Sequence, residues 1–389
     1  MKKLAIITSH PVQYYAPWFR HIAQSGDINI KVFYLWNFGI NKTVDIDFQQ
    51  AIQWDIPLLD GYEYEFVPNT SPNPGTHNFW GLQNPSLVSQ VRAYNPDSVL
   101  LMVYNYASIY HFLATWNKHD KPLLFRGDSH RLLSNSGIKS WARRQFITQI
   151  YRNFAACLYV GKANYNYFQY HGIKSETLFF SPHSIDNERF FSQAENAKLQ
   201  ATVWKQELGI PNDYAVILFV GKFENKKRPL DLLNAFLRAN LAGVSLLFVG
   251  AGKLEQELKE TAADNSHIYF APFQNQTWMP RTYAIADLLV LPSYGEGETW
   301  GLVINEAMCL GRPVIVSDHV GCAQDLVHPY RNGLIFSAAN VEALAHSLKE
   351  AFQDRQRLKA WGEESSQIIS GYSYIQATKG LKEALESLT

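Results

Sequence analysis

Six short, unbroken apolar runs in the second half of the chain leave little choice of architecture. They are AVILFVG (215–221), VSLLFVG (244–250), HIYFAP (267–272), LLVLPS (288–293), PVIVSD (313–318) and GLIFS (333–337). Each is followed by a polar turn and most by a helical pattern. A strand that is apolar on both faces must be covered on both, which is the environment of a parallel sheet with crossover helices. The first half repeats the rhythm in LAIIT (4–8), INIKVFYLW (28–36), DSVLLMVY (97–104), PLLFRG (122–127) and AACLYVG (155–161). Residues 37–85, around SPNPGTHNFWG, are irregular and read as a long insertion or loop.

The expected fold class is α/β, with two Rossmann-like domains facing across a cleft. The expected boundaries are 1–190 for the first domain, 191–213 for a partly helical linker, 214–372 for the second domain and 373–389 for a final helix. In such sheets ligands bind beyond the carboxyl ends of the strands, where helix N-termini open.

With 35 Lys plus Arg against 35 Asp plus Glu, no overall field draws the chain to nucleic acid, so charged partners must be met locally. Cys157, Cys309 and Cys322 are odd in number and form no CxxC pair, which fits a reduced, cytoplasmic setting. The apolar run after MKK stops after about five residues and reads as a first strand rather than a signal peptide. No stretch approaches the roughly 20 apolar residues that span a bilayer.

The segment EGETWGLVINEAM (296–308) carries the clearest chemistry. Glu298 falls in a loop before a short helix, Glu306 falls more than one turn inside it, and Gly311 and Pro313 close it. The amides from Trp300 to Leu302 form the helix end between the two carboxylates. That end favours phosphate, whereas carboxylates beside it suit hydroxyls. A sugar nucleotide has this layout: sugar, diphosphate, ribose. The plainer alternative is a loop carboxylate and a helix-solubilising glutamate. Upstream, Lys222 and Lys227 straddle the turn after AVILFVG, placed to neutralise a diphosphate and a leaving group's charge. The alternative there is a solvated basic loop with Lys226 and Arg228.

Taken together, GKFENKKRPLDLLNAF, FVGAG, ADLLVLPSYGEGETWGLVINEAMCLGRPVIVSD and RNGLIF resemble the retaining glycosyltransferases of family four, which have the GT-B fold. The resemblance covers the second half nearly end to end. It implies that Glu306 binds the ribose, Glu298 the donor sugar and Lys222 and Lys227 the diphosphate. Thr299, Trp300, Gly301 and Leu302 would then present amides to phosphate or sugar. It also implies a last helix that crosses back onto the first domain. Lys222 stands where the family usually has Arg, a change that keeps the charge and loses the bidentate fork.

The first half departs further from the family. Its first loop, TSHPVQYYAPWF, lacks the usual glycines; His10 and Gln13 are acceptor or donor contacts there, or parts of a Pro-directed turn. Asp128 occupies the place of a family histidine, with His130 two residues on, and both are catalytic candidates; Asp128 as a helix N-cap is the structural alternative.

KSWARRQFITQIYRNF (139–154) reads as a basic amphipathic helix. Trp141, Phe146, Ile147, Ile150, Tyr151 and Phe154 fall on one face, flanked by Lys139, Arg143, Arg144 and Arg152. It is either a helix covering the sheet or a peripheral contact with the inner face of the cytoplasmic membrane.

The expected activity is transfer of a sugar, with retention, from a nucleotide-diphosphate donor to a hydroxyl of a saccharide or glycolipid acceptor, in surface polysaccharide or glycoconjugate assembly. Neither cofactor nor metal is expected, since the basic residues meet the charge and no His or Cys cluster has zinc spacing. Rival readings are a sugar-nucleotide epimerase on the same fold and a non-catalytic sugar-nucleotide-binding subunit.

Overall fold

The computed structural model describes residues 2–40, 43–45, 50–119, 121–133, 137–263 and 265–388. The chain divides into two compact units, one of residues 1–43, 56–183 and 374–389, the other of residues 44–55 and 184–373.

The strands in chain order are β1 (Lys2–Thr8), β2 (Ile28–Tyr34), β3 (Thr43–Asp45), β4 (Gln50–Ile52), β5 (Glu63–Phe66), β6 (Ser98–Leu101), β7 (Leu123–Arg126), β8 (Ala156–Tyr159) and β9 (Leu178–Phe180). They continue with β10 (Ala215–Val220), β11 (Val244–Val249), β12 (Ile268–Ala271), β13 (Leu288–Leu291), β14 (Val314–Ser317) and β15 (Gly333–Phe336). The first unit's sheet has the order β5-β2-β1-β6-β7-β8-β9, the second's β12-β11-β10-β13-β14-β15, and β3 pairs with β4. The pairings within both large sheets are parallel. Every residue of β6, β7, β10, β11, β13 and β14 is buried, which is why those runs carry no polar alternation.

Strand order reverses between β1 and β6 in one sheet and between β10 and β13 in the other. At such a switch point the crossovers leave in opposite directions and open a crevice at the carboxyl ends. Those ends lead to His10 in the first unit, and to Lys222 and Ser293 in the second.

The polar stretch expected as a linker is mostly one helix, Asn187–Glu207, and belongs to the second unit. It buries Phe190, Ala197, Ala201 and Trp204. Asp186 caps it through the Arg189 amide. The division therefore falls at 183/184. The irregular region contains β5, and its residues 44–55 go with the second unit, where Asn275 donates to the Gln53 carbonyl and the Thr277 amide to Asp55.

The last helix, Tyr374–Glu386, packs against β8, β9 and the helix Ala16–Ser25 of the first unit. Ser181 Oγ donates to the Ala377 carbonyl, and the buried Trp18 Nε1 donates to Thr378 Oγ1 at 3.1 Å.

The helix Ile138–Tyr151 does not present the single apolar face expected of it. Ile147, Ile150 and Tyr151 enter the core with Phe154, while Trp141 is 63% and Phe146 56% exposed. At about 100° per residue, Trp141 and Phe146 lie roughly 120° and 100° to either side of Ile147, too far round to share its face.

Thr378→Val removes the acceptor and leaves the Trp18 N–H buried without it. The expected loss is about 1–3 kcal/mol in urea unfolding. Ile375→Ser, at a position 71% exposed on the same helix, should stay within about 0.5 kcal/mol of wild type.

Candidate functional site

In the second unit, β10 runs into Gly221 and Lys222, and a single 3-10 turn, Asn225–Lys227, brings Lys226 and Lys227 to the sheet edge. Arg228, in the left-handed region at φ 53°, bonds Asp231 and leads into the helix Pro229–Ala239. From the adjacent strand β13, Ser293 is buried and the loop 294–301 returns to the helix Leu302–Cys309. The Tyr294 amide donates to the Lys226 carbonyl at 2.8 Å and ties the two loops together.

These loops bring the predicted Lys227 and Glu298 into contact. Lys227 Nζ donates to Glu298 Oε2, and Ser293 Oγ donates to the same oxygen at 2.8 Å. Burial of Glu298, 8% exposed, pushes its pKa up, but the Lys227 charge, hydrogen bonds from Lys227 and Ser293 and the nearby Lys226 outweigh it. The carboxyl is held below its ordinary range and is ionised at neutral pH.

Backbone lacing fixes the rest of the loop. Gly321 N donates to the Glu298 carbonyl and Cys322 N to the Trp300 carbonyl, both at 3.0 Å. A Cβ on Gly321 would lie 1.8 Å from the Thr299 carbonyl oxygen, so only glycine permits this approach. Gly301 caps the helix at φ 96°, where a side chain would also meet Leu291 at 2.9 Å. The first intrahelical bond runs from Ile304 N to the Gly301 carbonyl, so the Leu302 and Val303 amides precede the ladder.

Trp300 is buried, with its Nε1 donating to Asn305 Oδ1 at 2.8 Å, so its side chain braces the turn. Thr299, Leu302 and Lys222 are half-buried. Glu306, expected more than one turn inside the helix, is there but only 1% exposed, and Tyr283 donates to its Oε2 at 2.5 Å. Sequence reasoning overlooked Tyr283, Asn305 and His319, which accepts from the Gly295 amide at 3.2 Å. Asn305 lies within the 296–308 motif and His319 two residues after β14, where sequence signals existed; Tyr283 had none.

In the first unit, His10 follows β1 with Ser9 Oγ 3.0 Å from its Nδ1 and its ring edge-on to Trp36 and Phe38. Burial lowers its pKa to about 4, so the imidazole is neutral near pH 7. Gln13 is half-buried in the same loop. Nearby side chains Trp36, Phe66 and Val67 line a cavity of about 390 Å³. Asp128 follows β7 with its side chain 39% exposed. His130 is buried, and its Nδ1 accepts from the Leu132 amide at 3.4 Å. The three cysteines are buried free thiols. Among the described residues, no group of three or more His, Cys, Asp or Glu could hold a metal, and no helix is long and apolar enough to cross a membrane.

Residues 200–368 match the family model described as glycosyl transferases group 1. The chain is 29% identical over 192 residues to D-inositol 3-phosphate glycosyltransferase of Nocardia farcinica, covering 46% of this chain and 42% of that protein. It is 24% identical over 195 residues to lipopolysaccharide 1,2-N-acetylglucosaminetransferase of Salmonella typhimurium, covering 47% and 51%. The chain thus spans about half the length of the curated relatives it matches. Among solved structures, a glycosyltransferase of Rickettsia africae aligns over 100% of this chain and 99% of its own with a TM-score of 0.74 at 14% identity. HepE of Anabaena, solved with UDP and glucose, aligns over 100% of both chains with a TM-score of 0.71 at 18% identity. The chain therefore has the GT-B fold of glycosyltransferases. Most of its second unit, residues 200–368, is similar to the glycosyl transferases group 1 family.

The sign of Glu298's titration gives a test. Because its folded pKa lies below the unfolded value, its stabilisation is complete above the ordinary carboxylate range, near 4.5, and is lost as pH falls through the folded value. In Lys227→Met the burial effect loses its largest opponent, so protonation helps the fold instead. The variant should lose about 1.5–3 kcal/mol in urea unfolding at pH 7, with the gap narrowing at pH 4. A gap independent of pH would show that the lysine acts by packing alone.

Proposed function

We propose that this chain is a retaining glycosyltransferase whose second unit holds a nucleoside-diphosphate sugar and whose first unit takes a saccharide or glycolipid hydroxyl. The observation that carries this reading is the Lys227–Glu298–Ser293 cluster beside the Leu302 helix end, on a group 1 glycosyltransferase domain. The ionised carboxylate accepts from sugar hydroxyls, while the ammonium and the helix amides face phosphate. In the reaction, the bond from the anomeric carbon to the diphosphate breaks with its electron pair leaving on oxygen. The acceptor oxygen bonds the same carbon on the same face, and its proton passes to the leaving diphosphate. Lys222 and Lys227 meet the charge, so the chemistry asks for no metal. Glu306 takes the ribose when its bond to Tyr283 opens, and assembly of surface polysaccharide or glycoconjugate is the setting. Uridine is the first base to test, because HepE was solved with UDP.

Thermal unfolding with a panel of nucleoside diphosphates and their sugars tests the donor site. A ligand at 100 times its Kd should add about 2.7 kcal/mol. Glu298→Gln should weaken the sugar nucleotide roughly tenfold or more and leave the plain diphosphate less affected; Glu306→Ala should weaken both. No stabilisation by any nucleotide would overturn the reading. Turnover of donor to an epimer without acceptor would favour an epimerase.

The same reading places the first unit at a membrane surface when the acceptor is a glycolipid. Supporting it, Ile138, Trp141 and Phe146 stand out beside the exposed Lys139 and Arg143. Arg144 is partly committed elsewhere: its Nη2 donates to the Tyr170 carbonyl at 2.9 Å. Trp141→Ser with Arg143→Glu should abolish salt-sensitive co-sedimentation with vesicles containing phosphatidylglycerol. Equal sedimentation of the variant and wild type would remove this contact.

A further inference from the structure

The β7–β9 end of the first sheet holds a polar cluster that donor binding leaves unexplained. Arg126, the last residue of β7, is buried; its Nη2 donates to the carbonyls of Ser181 at 3.3 Å and Pro182 at 3.0 Å. The guanidinium lies over the rings of Tyr15, at 5.5 Å, and Trp18, at 4.9 Å. Two residues on, Asp128 turns a half-exposed carboxylate outward. His183, after β9, is buried; its Nε2 is 3.3 Å from Asp128 Oδ2 and its ring stacks on Tyr15 at 6.1 Å.

An ionised carboxylate only accepts, so the proton of this pair is on His183 Nε2. Burial, aided by the Arg126 charge and opposed by Asp128, lowers the imidazole's pKa, so it donates as a neutral group. A carboxylate in contact with water needs no such partner for its own solvation. A buried imidazole committed to it is the arrangement that fixes an exposed group's direction for a ligand. A carboxylate has several acceptor positions, so the half-exposed edge of Asp128 can accept from a ligand hydroxyl while its Oδ2 accepts from His183.

We propose that Asp128 grips a hydroxyl of the acceptor adjacent to the reacting one, and that His183 is the positioning residue that aims it. This rests on the transferase reading above. It also sets specificity. The reacting hydroxyl keeps its own proton for the leaving diphosphate, and the acceptor carries a neutral diol at this point, because a phosphate there would face a fixed carboxylate. The acceptor class is thus an unphosphorylated sugar or polyol, in contrast to the compound that names the D-inositol 3-phosphate glycosyltransferases.

The test uses the full chain with the donor selected by the nucleotide panel, measuring released nucleoside diphosphate. The acceptor probes are methyl and octyl hexosides, myo-inositol and D-inositol 3-phosphate. Wild type should use neutral probes and reject the phosphorylated one. Asp128→Asn should raise the acceptor KM roughly ten- to hundredfold, with a smaller change in kcat and unchanged stabilisation by donor. His183→Leu should do the same, and His183→Gln, which keeps a donor at that reach, should recover most of the loss. Since His183 is buried, each variant's melting is compared with wild type, and Asp128→Asn decides the matter if His183→Leu is unfolded. Unchanged acceptor KM in folded Asp128→Asn, failure of glutamine to rescue a folded His183→Leu, or preference for D-inositol 3-phosphate overturns the proposal. So does stabilisation by donor with no neutral probe used, whereas no stabilisation by any nucleotide is the failure of the transferase reading itself.

Discussion

Glu298 is ionised where almost no water reaches it, and the carboxyl edge of the second sheet is arranged around that charge. Burying a carboxylate costs several kcal/mol, and the cost is offset only by a partner with good geometry and further hydrogen bonds. Lys227 supplies the charge and Ser293 the second bond. Neither is near Glu298 by helical spacing. Ser293 lies five residues before Glu298, just after β13, whereas Lys227 reaches it because β10 and β13 are neighbours in space although two strands separate them in sequence. The reversal of strand order that opens a crevice is therefore the same feature that brings the ion pair together. The loop cannot drift from this arrangement, since Gly321 and Cys322 hold its backbone from the next strand's connection.

The carboxylates of the two units solve different electrostatic problems. Glu298 is buried and needs a cation; Asp128 is half-exposed and is held by a neutral imidazole. An ammonium fixes charge and tolerates several geometries, because its three donors rotate. An imidazole offers one N–H along one direction and fixes orientation more than charge. Arg126 behind the second pair is balanced by carbonyls and by the faces of Tyr15 and Trp18, so the neutral pair does not have to neutralise it.

Much of the second unit was legible in the sequence because its central strands are buried on both faces and so read as plain apolar runs. The site motif was legible for a related reason: strand, polar loop and helix follow one another within residues 288–309. What escaped was short or distant. EYEF of β5 is an edge strand whose residues are partly exposed, and LFF of β9 has only three residues. Residues 44–55 join the second unit through Asn275 and Thr277, contacts that span 222 positions and leave no local pattern. His183 lies 55 residues from Asp128, so nothing in the text around either residue announced the pair. The helix after Gly137 misled for a different reason: its hydrophobic residues are numerous enough to suggest one face, but the angular spacing of Trp141 and Phe146 excludes them from it.

The formal net charge of zero also holds at the scale of the second unit's edge, and this shapes how an anion can bind there. Lys226 pairs with Glu224 at 3.3 Å, Lys227 with Glu298 and Arg228 with Asp231 at 2.8 Å. A diphosphate entering this loop would meet cations already partnered, not a bare basic patch. It would gain from Lys227 by sharing it, since the ammonium has three donors and Ser293 still holds the Glu298 carboxylate. Sharing favours a ligand that brings hydroxyls to Glu298 along with phosphate to Lys227, over one that brings phosphate alone. A paired loop of this kind discriminates by the whole layout of the ligand, where an unpaired basic loop would bind any polyanion.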